Sequence, residues 1–338
     1  MTAPAPAVRA GRLRLGVGLV IGAGAIYAVV ASAGGFEDAL EAVRSAGPGS
    51  LALGALAEAA TYALLGTLLR RLVGDGVDRP TAVRLALVVA GLGTILPAAP
   101  AEGLAMAGRE LRRRDVDAHR TRIALGLMQW LSVRAVFGVA ATDALGIAIL
   151  ASLRYPERAP RFLVLAAIAL GVFAVLAVTA WLANRRETLE VLVLVAARAR
   201  FWQPPAPAAD VRARGASWHA EILEVLGGRR TKAVYGGLAL ASCLADATCF
   251  RFALVAVGVH PRPGLFLFAY AVAMITAMVP LVPAGLGAVE TVVPALLHHS
   301  GVPLATALAG ILAYRALATL LPALCGTVAL VQLRRIRR

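Results

Sequence analysis

Apolar residues in this chain come in long blocks, not in alternation or in narrow stripes. Six blocks, at about 15–33, 50–69, 123–152, 162–183, 233–258 and 303–333, read as complete crossings, since a bilayer-spanning helix needs roughly 20 apolar residues. Two further blocks, 81–108 and 264–299, are interrupted. Pro97 and Pro100 break the first, and Pro280, Pro283, Gly285 and Gly287 break the second. Proline removes a backbone donor and glycine loosens the turn around it. Backbone groups freed in this way are tolerated at membrane depth only inside protein or beside a watered cavity. The pattern predicts an all-α polytopic membrane protein of about six full spans and two broken re-entrant hairpins, roughly eight transmembrane segments in all. No ten-residue alternation suggests a barrel.

Composition agrees. Of 338 residues, 59% are hydrophobic and 16% charged, with a mean hydropathy of +0.77, far from the soluble range. A net charge of +15 could suggest nucleic acid, but the basic residues lie between the apolar blocks and lack interleaved aromatics. They read as topogenic, lipid-facing charge, so no nucleic-acid partner is expected. Arg9, Arg12 and Arg14 place the N-terminus in the cytoplasm, and the first block stays as an anchor. Arg70 and Arg71, the basic segment 184–232 and the closing "RRIRR" belong on the same side. The loop "RELRRRDVDAHRTR" (109–122) decides the topology. A full crossing by 81–108 would carry this loop and 184–232 outside. A hairpin entering and leaving from the cytoplasm keeps both inside, and 264–299 then enters from the outside. Only "RYPERAPR" (154–161) is left as a basic external loop.

The two interrupted blocks share a Pro-x-x-Pro-Ala core, with Pro97 matching Pro280 and Pro100 matching Pro283. Each is preceded by a span with one acid, Glu58 or Asp246, and followed by a span with a deep arginine, Arg134 or Arg315. The chain therefore reads as a single membrane domain, 1–338, of two inverted repeats at about 15–153 and 162–333. Many transporters follow this plan.

Charge inside a membrane is costly, about 2.5–3.5 kcal/mol per residue on insertion scales, and marks function by default. Arg134, Arg251 and Arg315 offer planar forks suited to a lipid phosphate. Glu102 and Glu290 sit just after the breaks, and Arg315 with Glu290 reads equally as substrate contact or static ion pair. Glu58 and Asp246 are candidates to carry a coupling proton, and Glu58 and Asp143 read equally as helix-packing hydrogen-bond residues, with Asp143 the weaker functional candidate. Cys243, Cys249 and Cys325 lack metal-ligand spacing, and His298 and His299 read as solvated, so neither metal nor cofactor is expected. Segments 188–202 and 217–226 look interfacial, the latter with Trp218, Ile222 and Val225 on one helical face, and 36–47 looks the same on the outer side.

The closing stretch "VPLVPAGLGAVETVVPALLHHSGVPLATALAGILAYRALATLLPALCG" resembles the signature of the lysylphosphatidylglycerol synthase transmembrane-region family of flippase-like membrane proteins. Pro280, Pro283, Gly285, Leu286, Gly287, Glu290, Tyr314 and Arg315 carry the likeness. Glu102 and Arg109 in "GTILPAAPAEGLAMAGREL" match the family's first-half stretch. Ala284 stands where the family usually has glycine, and Val133 where glutamate is common. The resemblance implies a lipid flippase-like transporter that moves an anionic phospholipid or polyprenyl-phosphate lipid between leaflets of the cytoplasmic membrane. It also makes Tyr314, Arg109 and the two break-following acids candidate substrate contacts. The soluble aminoacyl-transferase domain of the two-part members has no counterpart here, so no enzyme activity is expected of the chain; a separate lipid-modifying enzyme is a conceivable partner. The competing readings are a small-solute or ion-coupled secondary transporter and a non-transporting partner of a cell-envelope lipid enzyme. No GxxxxGK[ST] loop for nucleotide occurs.

Overall fold

The computed structural model describes residues 41, 44–74, 76–92, 100–155, 159–183, 220–278 and 285–335. Among them every regular element is a helix. In chain order these are α1 (Pro48–Val73), α2 (Arg79–Ala86) running into a π turn (Leu87–Leu92), α3 (Pro100–Arg112), α4 (Ala118–Arg154), α5 (Ala159–Ala183), α6 (Arg229–Ala256), α7 (Pro263–Ala277), α8 (Ala288–His299) and α9 (Leu304–Arg315). A second π turn (Ala316–Leu320) joins α9 to α10 (Leu321–Arg335). One further short helix, 220–226, precedes α6. Three helices, α1, α4 and α6, and the continuous run from Leu304 to Arg335 are long and apolar enough to cross a membrane. The protein is an all-α, multi-pass membrane protein. Leu150, Leu153, Leu163, Val164 and Leu324, each more than 60% exposed, give the outer surface the apolar character that a hydrocarbon solvent requires.

Local signals explain where several helices begin. Pro48 and Pro263 open α1 and α7, where a missing amide hydrogen costs nothing. Asp117 caps α4 by accepting from the backbone amides of His119 (2.6 Å) and Arg120 (2.9 Å).

Contacts between helix ends define two ends of the bundle. The Gly47 amide, at the start of α1, donates to the Ala256 carbonyl at the end of α6 (2.7 Å). At the opposite end, Arg120 Nε donates to the Leu72 carbonyl (3.1 Å) and Arg114 to the Leu333 carbonyl (3.3 Å). His119 pairs with Glu221 there. This second, basic end therefore gathers the end of α1, the α3–α4 turn, the 220–226 helix and the end of α10. Since α1 finishes at the basic end and α4 starts there, α2 and α3 leave from and return to one end. By the same reasoning, α6 finishes at the far end and α9 starts there, so α7 and α8 leave from and return to the far end. The two arms pack against each other in both cases. Each arm has 12–15 residues at about 1.5 Å rise, shorter than the roughly 30 Å hydrocarbon core.

Two apolar cores follow from this arrangement. Leu68, Leu72, Leu85, Leu111, Ile123 and Leu333 enclose the α2–α3 pair, and Phe250, Tyr270, Val293, Leu297, Ile311 and Tyr314 enclose the α7–α8 pair. α1 and α6 cross between them. Gly54 on α1 lies beside α6 and the second π turn: a side chain there would meet Leu317 at 2.9 Å and the Cys249 carbonyl at 3.6 Å.

Three expectations need adjusting. The block 303–333 is not one uninterrupted α-helix, because it passes through the π turn directly after Arg315. The block 123–152 is the middle of a 37-residue helix, α4, which takes in the end of the presumed 109–122 loop. Within 217–226, the described part does not lie on lipid: Val225 and Leu226 are buried in the basic-end core, and Glu221 and Glu224 pair with His119 and Arg120. The first block (15–33), segment 188–202, Trp218, Pro97, Pro280, Pro283 and most of 36–47 lie outside the described residues.

Candidate functional site

The α1–α6 crossing holds a polar belt between the two cores. Glu58 on α1 is 4% exposed and faces Asp246 on α6 across the contact that Thr61 and Ser242 also share. Asp246 is only partly buried. Its two oxygens accept from Tyr270 of α7 and Tyr314 of α9, each at 2.9 Å. Glu58 Oε2 is buried without a partner. One turn further along α1, Thr61 donates to the Ser242 carbonyl (3.4 Å). Phe250 packs edge-on against both tyrosine rings, which fixes the hydroxyls that meet Asp246. Glu58 is ten residues from the start of α1 and Asp246 ten from the end of α6. At 1.5 Å per residue both lie about 15 Å from the far end, near the middle of a ~30 Å core.

At the second broken segment, Gly285 (φ +63°) and Gly287 (φ +82°) turn the chain with left-handed backbones that side chains other than glycine resist. Glu290, 1% exposed, accepts from the Gly287 amide (2.7 Å) with one oxygen and from Arg315 Nε (2.7 Å) with the other. The capping acid of α8 is thereby tied to the last residue of α9.

The third feature is a cavity of about 770 Å³ at the basic end, walled by Arg70 and Arg71 of α1, Arg79 of α2, and Arg230, Thr231 and Tyr235 of α6. None of the four arginines has a carboxylate partner among the described residues. Elsewhere on this end Arg113, Arg114 and Arg334 gather around Glu110, which is 3% exposed. Arg79 and Arg230 also occupy first turns of helices, where the backbone dipole already favours anions and a cation costs about 0.3–1 kcal/mol. Asp78, at the N-cap of α2 beside them, makes no capping hydrogen bond.

The expected site residues do not all converge. Glu58, Asp246 and Tyr314 meet at the crossing, and Glu290 and Arg315 meet beside it. Arg134 faces α5 instead, lying over Trp130 (4.5 Å) and donating to the Leu176 carbonyl (2.5 Å) and Thr179 (3.0 Å). Arg251 is exposed and lies over Phe266 at 5.6 Å. Glu102 occupies the first turn of α3 and is partly buried; Arg109 is exposed near the other end of that helix. Pro100 opens α3. Asp143 leaves one oxygen buried without a partner. Sequence reasoning missed Tyr270, Glu110 and the role of Arg79 and Arg230. Tyr270 had no signal of its own. The arginines carried one, as unbalanced positive charge in helix first turns. No group of three or more potential metal ligands occurs among the described residues.

Multi-pass apolar helices, with buried carboxyls where α1 and α6 cross, define a polytopic α-helical membrane protein. Residues 15–326 match the model of the lysylphosphatidylglycerol synthase transmembrane region, and the chain belongs to that family. No curated protein matches it.

Proposed function

We propose that the protein moves a phosphate-bearing anionic lipid between the leaflets of the cytoplasmic membrane. The carrying observation is the basic-end cavity: four arginines that make no ion pair among the described residues, two of them at helix N-termini, surround a volume able to take a headgroup. Guanidinium forks suit phosphate geometry, and a one-sign cleft concentrates anions. The basic end faces the cytoplasm on this reading, as the bias of arginine toward that side suggests. The α2–α3 and α7–α8 pairs are then re-entrant hairpins from opposite sides, related by an inverted repeat. The pairing of elements supports the repeat: α2 and its π turn pack on α10, as α7 packs on α4. Exchanging the halves exchanges these contacts.

The test is a leaflet assay in proteoliposomes, with headgroup-labelled phosphatidylglycerol, phosphatidylcholine and a polyprenyl-phosphate lipid followed in parallel. Faster crossing of the anionic lipids than in protein-free vesicles is expected. Replacing Arg70, Arg71, Arg79 and Arg230 by glutamine should remove that preference. Rates equal to those of empty vesicles for every lipid would overturn the proposal.

A further inference from the structure

The acid pair at the helix crossing answers a question that the transport reading leaves open, namely what drives movement. Glu58 and Asp246 face each other across the α1–α6 contact, whose register is set by Thr61 against Ser242 and Gly54 against Cys249, and Glu58 is 4% exposed. Two adjacent carboxylates enclosed in this way cannot both stay charged, so the pair requires a proton. A metal or guanidinium could remove that requirement, but no arginine, lysine or histidine lies within ion-pair distance of either acid among the described residues. Arg315 is held by Glu290, and Arg251 lies over Phe266.

Every other titratable group facing the pair is neutral or acidic. These are Tyr62 on α1, Cys243 and Cys249 on α6, Tyr270 on α7 and Tyr314 on α9, with Cys325 on α10 close to Tyr62. The two tyrosines that donate to Asp246 satisfy it as an acceptor. Glu58 keeps Oε2 buried and unpartnered, so the pair as a whole carries the hydrogen. The position adds to the argument. The pair sits midway across the bundle, where the helix from each half crosses, and its tyrosine donors come from the second hairpin and the last span. A change in protonation here would act on the contact between halves.

We propose that Glu58 and Asp246 form an exchangeable proton site that couples lipid movement to the proton gradient. The coupling rests on the transport reading above; the proton site itself does not. One proton binds the pair from one side and leaves to the other, without bond-making beyond O–H transfer.

Two measurements separate these statements. In proteoliposomes that transport, a one-unit pH gradient should bias the equilibrium leaflet ratio of the labelled anionic lipid about tenfold for one proton per lipid. A matched sodium gradient should not, and Glu58→Gln or Asp246→Asn should abolish the bias. Transport by the wild type with a ratio unmoved by pH, or moved by sodium, would overturn coupling. If no lipid moves at all, the transport reading fails, and infrared spectroscopy still tests the site. Purified wild-type protein at neutral pH should show a protonated-carboxyl C=O band that Glu58→Gln removes. A wild-type spectrum without that band, or a band unchanged in a folded Glu58→Gln, would overturn the proton site.

Discussion

The Glu290–Arg315 pair makes a demanding prediction because both partners are enclosed, with side chains 2% and 12% exposed. Arg315→Met removes the cation and leaves a carboxylate among apolar neighbours. Breaking such a pair from one side costs about 3–5 kcal/mol, because the remaining charge stays buried and uncompensated. Glu290 keeps its bond from the Gly287 amide, so the lower part of that range applies. At about 2–4 °C per kcal/mol for chains of 150–250 residues, the unfolding midpoint should fall by on the order of 6–12 °C. The assay is thermal unfolding in one detergent at one heating rate, read by fluorescence-detected size exclusion, with exposed Arg335→Met as the reference. Adding Glu290→Gln should recover most of the loss, since a neutral amide no longer needs the cation and can still accept from Gly287. An Arg315→Met midpoint within about 2 °C of the reference, or strict additivity in the double variant, would refute the view that this pair braces the broken segment. Arg315→Lys separates brace from ligand. It should keep most of the stability but lose transport if the fork also meets a phosphate.

Gly285→Ala should destabilise by about 1–3 kcal/mol, because the backbone is left-handed and a Cβ would stand 2.8 Å from Ala277 Cα; Gly138→Ala, mid-helix with open space around it, should instead be neutral or stabilising in the same melt. With exposed Cys325 replaced, single cysteines at Arg112 and Arg262 should react with impermeant maleimide from opposite sides of the membrane; labelling from one side would remove the inverted repeat. Backbone amides of Arg120 and His119 hold the Asp117 carboxyl below its ordinary value near 3.8. The Asp117 contribution is therefore complete above that value and is lost as pH falls through the lower folded one. The midpoint difference between wild type and Asp117→Asn should thus shrink only below about pH 4.

Apolar block length sufficed for the membrane class and for most helices, since the cost of exposing backbone to lipid leaves few alternatives. Arginine counting grouped 109–122 with Arg70 and Arg71, and Arg120 and Arg114 meet the Leu72 and Leu333 carbonyls. The distribution of the buried charges was harder to read. Arg134, Arg251 and Arg315 were all read as forks for a lipid phosphate, yet which face of a helix meets protein depends on packing partners far along the chain. Arg134 ended against α5 and Arg251 over Phe266. Tyr270 was invisible for the same reason. A lone tyrosine in an apolar run acquires meaning only when Asp246, 24 residues earlier, faces it.

The placement of charge has one further consequence. Among the described residues, arginines without an ion pair occupy the basic end, where water and headgroups can solvate them, while acids without a cation occupy the middle. A carboxyl can shed its charge by taking a proton, whereas a guanidinium stays charged throughout the accessible range. A protein that merely needed polar packing at the α1–α6 crossing could use serine, threonine or asparagine, as Thr61 and Ser242 already do one turn away. Two acids at mid-depth are costly to retain and give nothing to packing that amides would not. Their distinctive property is the ability to switch between neutral and charged at one fixed place. The nearby features fit such a switch: a π turn at Ala316–Leu320 directly after the Tyr314 donor, and α1 and α6 drawn close at Gly54. A charge appearing on Glu58 would face one from Asp246 across that contact. The repulsion would be relieved by sliding α1 against α6, a movement between the halves that each hairpin, packed on the last span of the opposite half, would transmit.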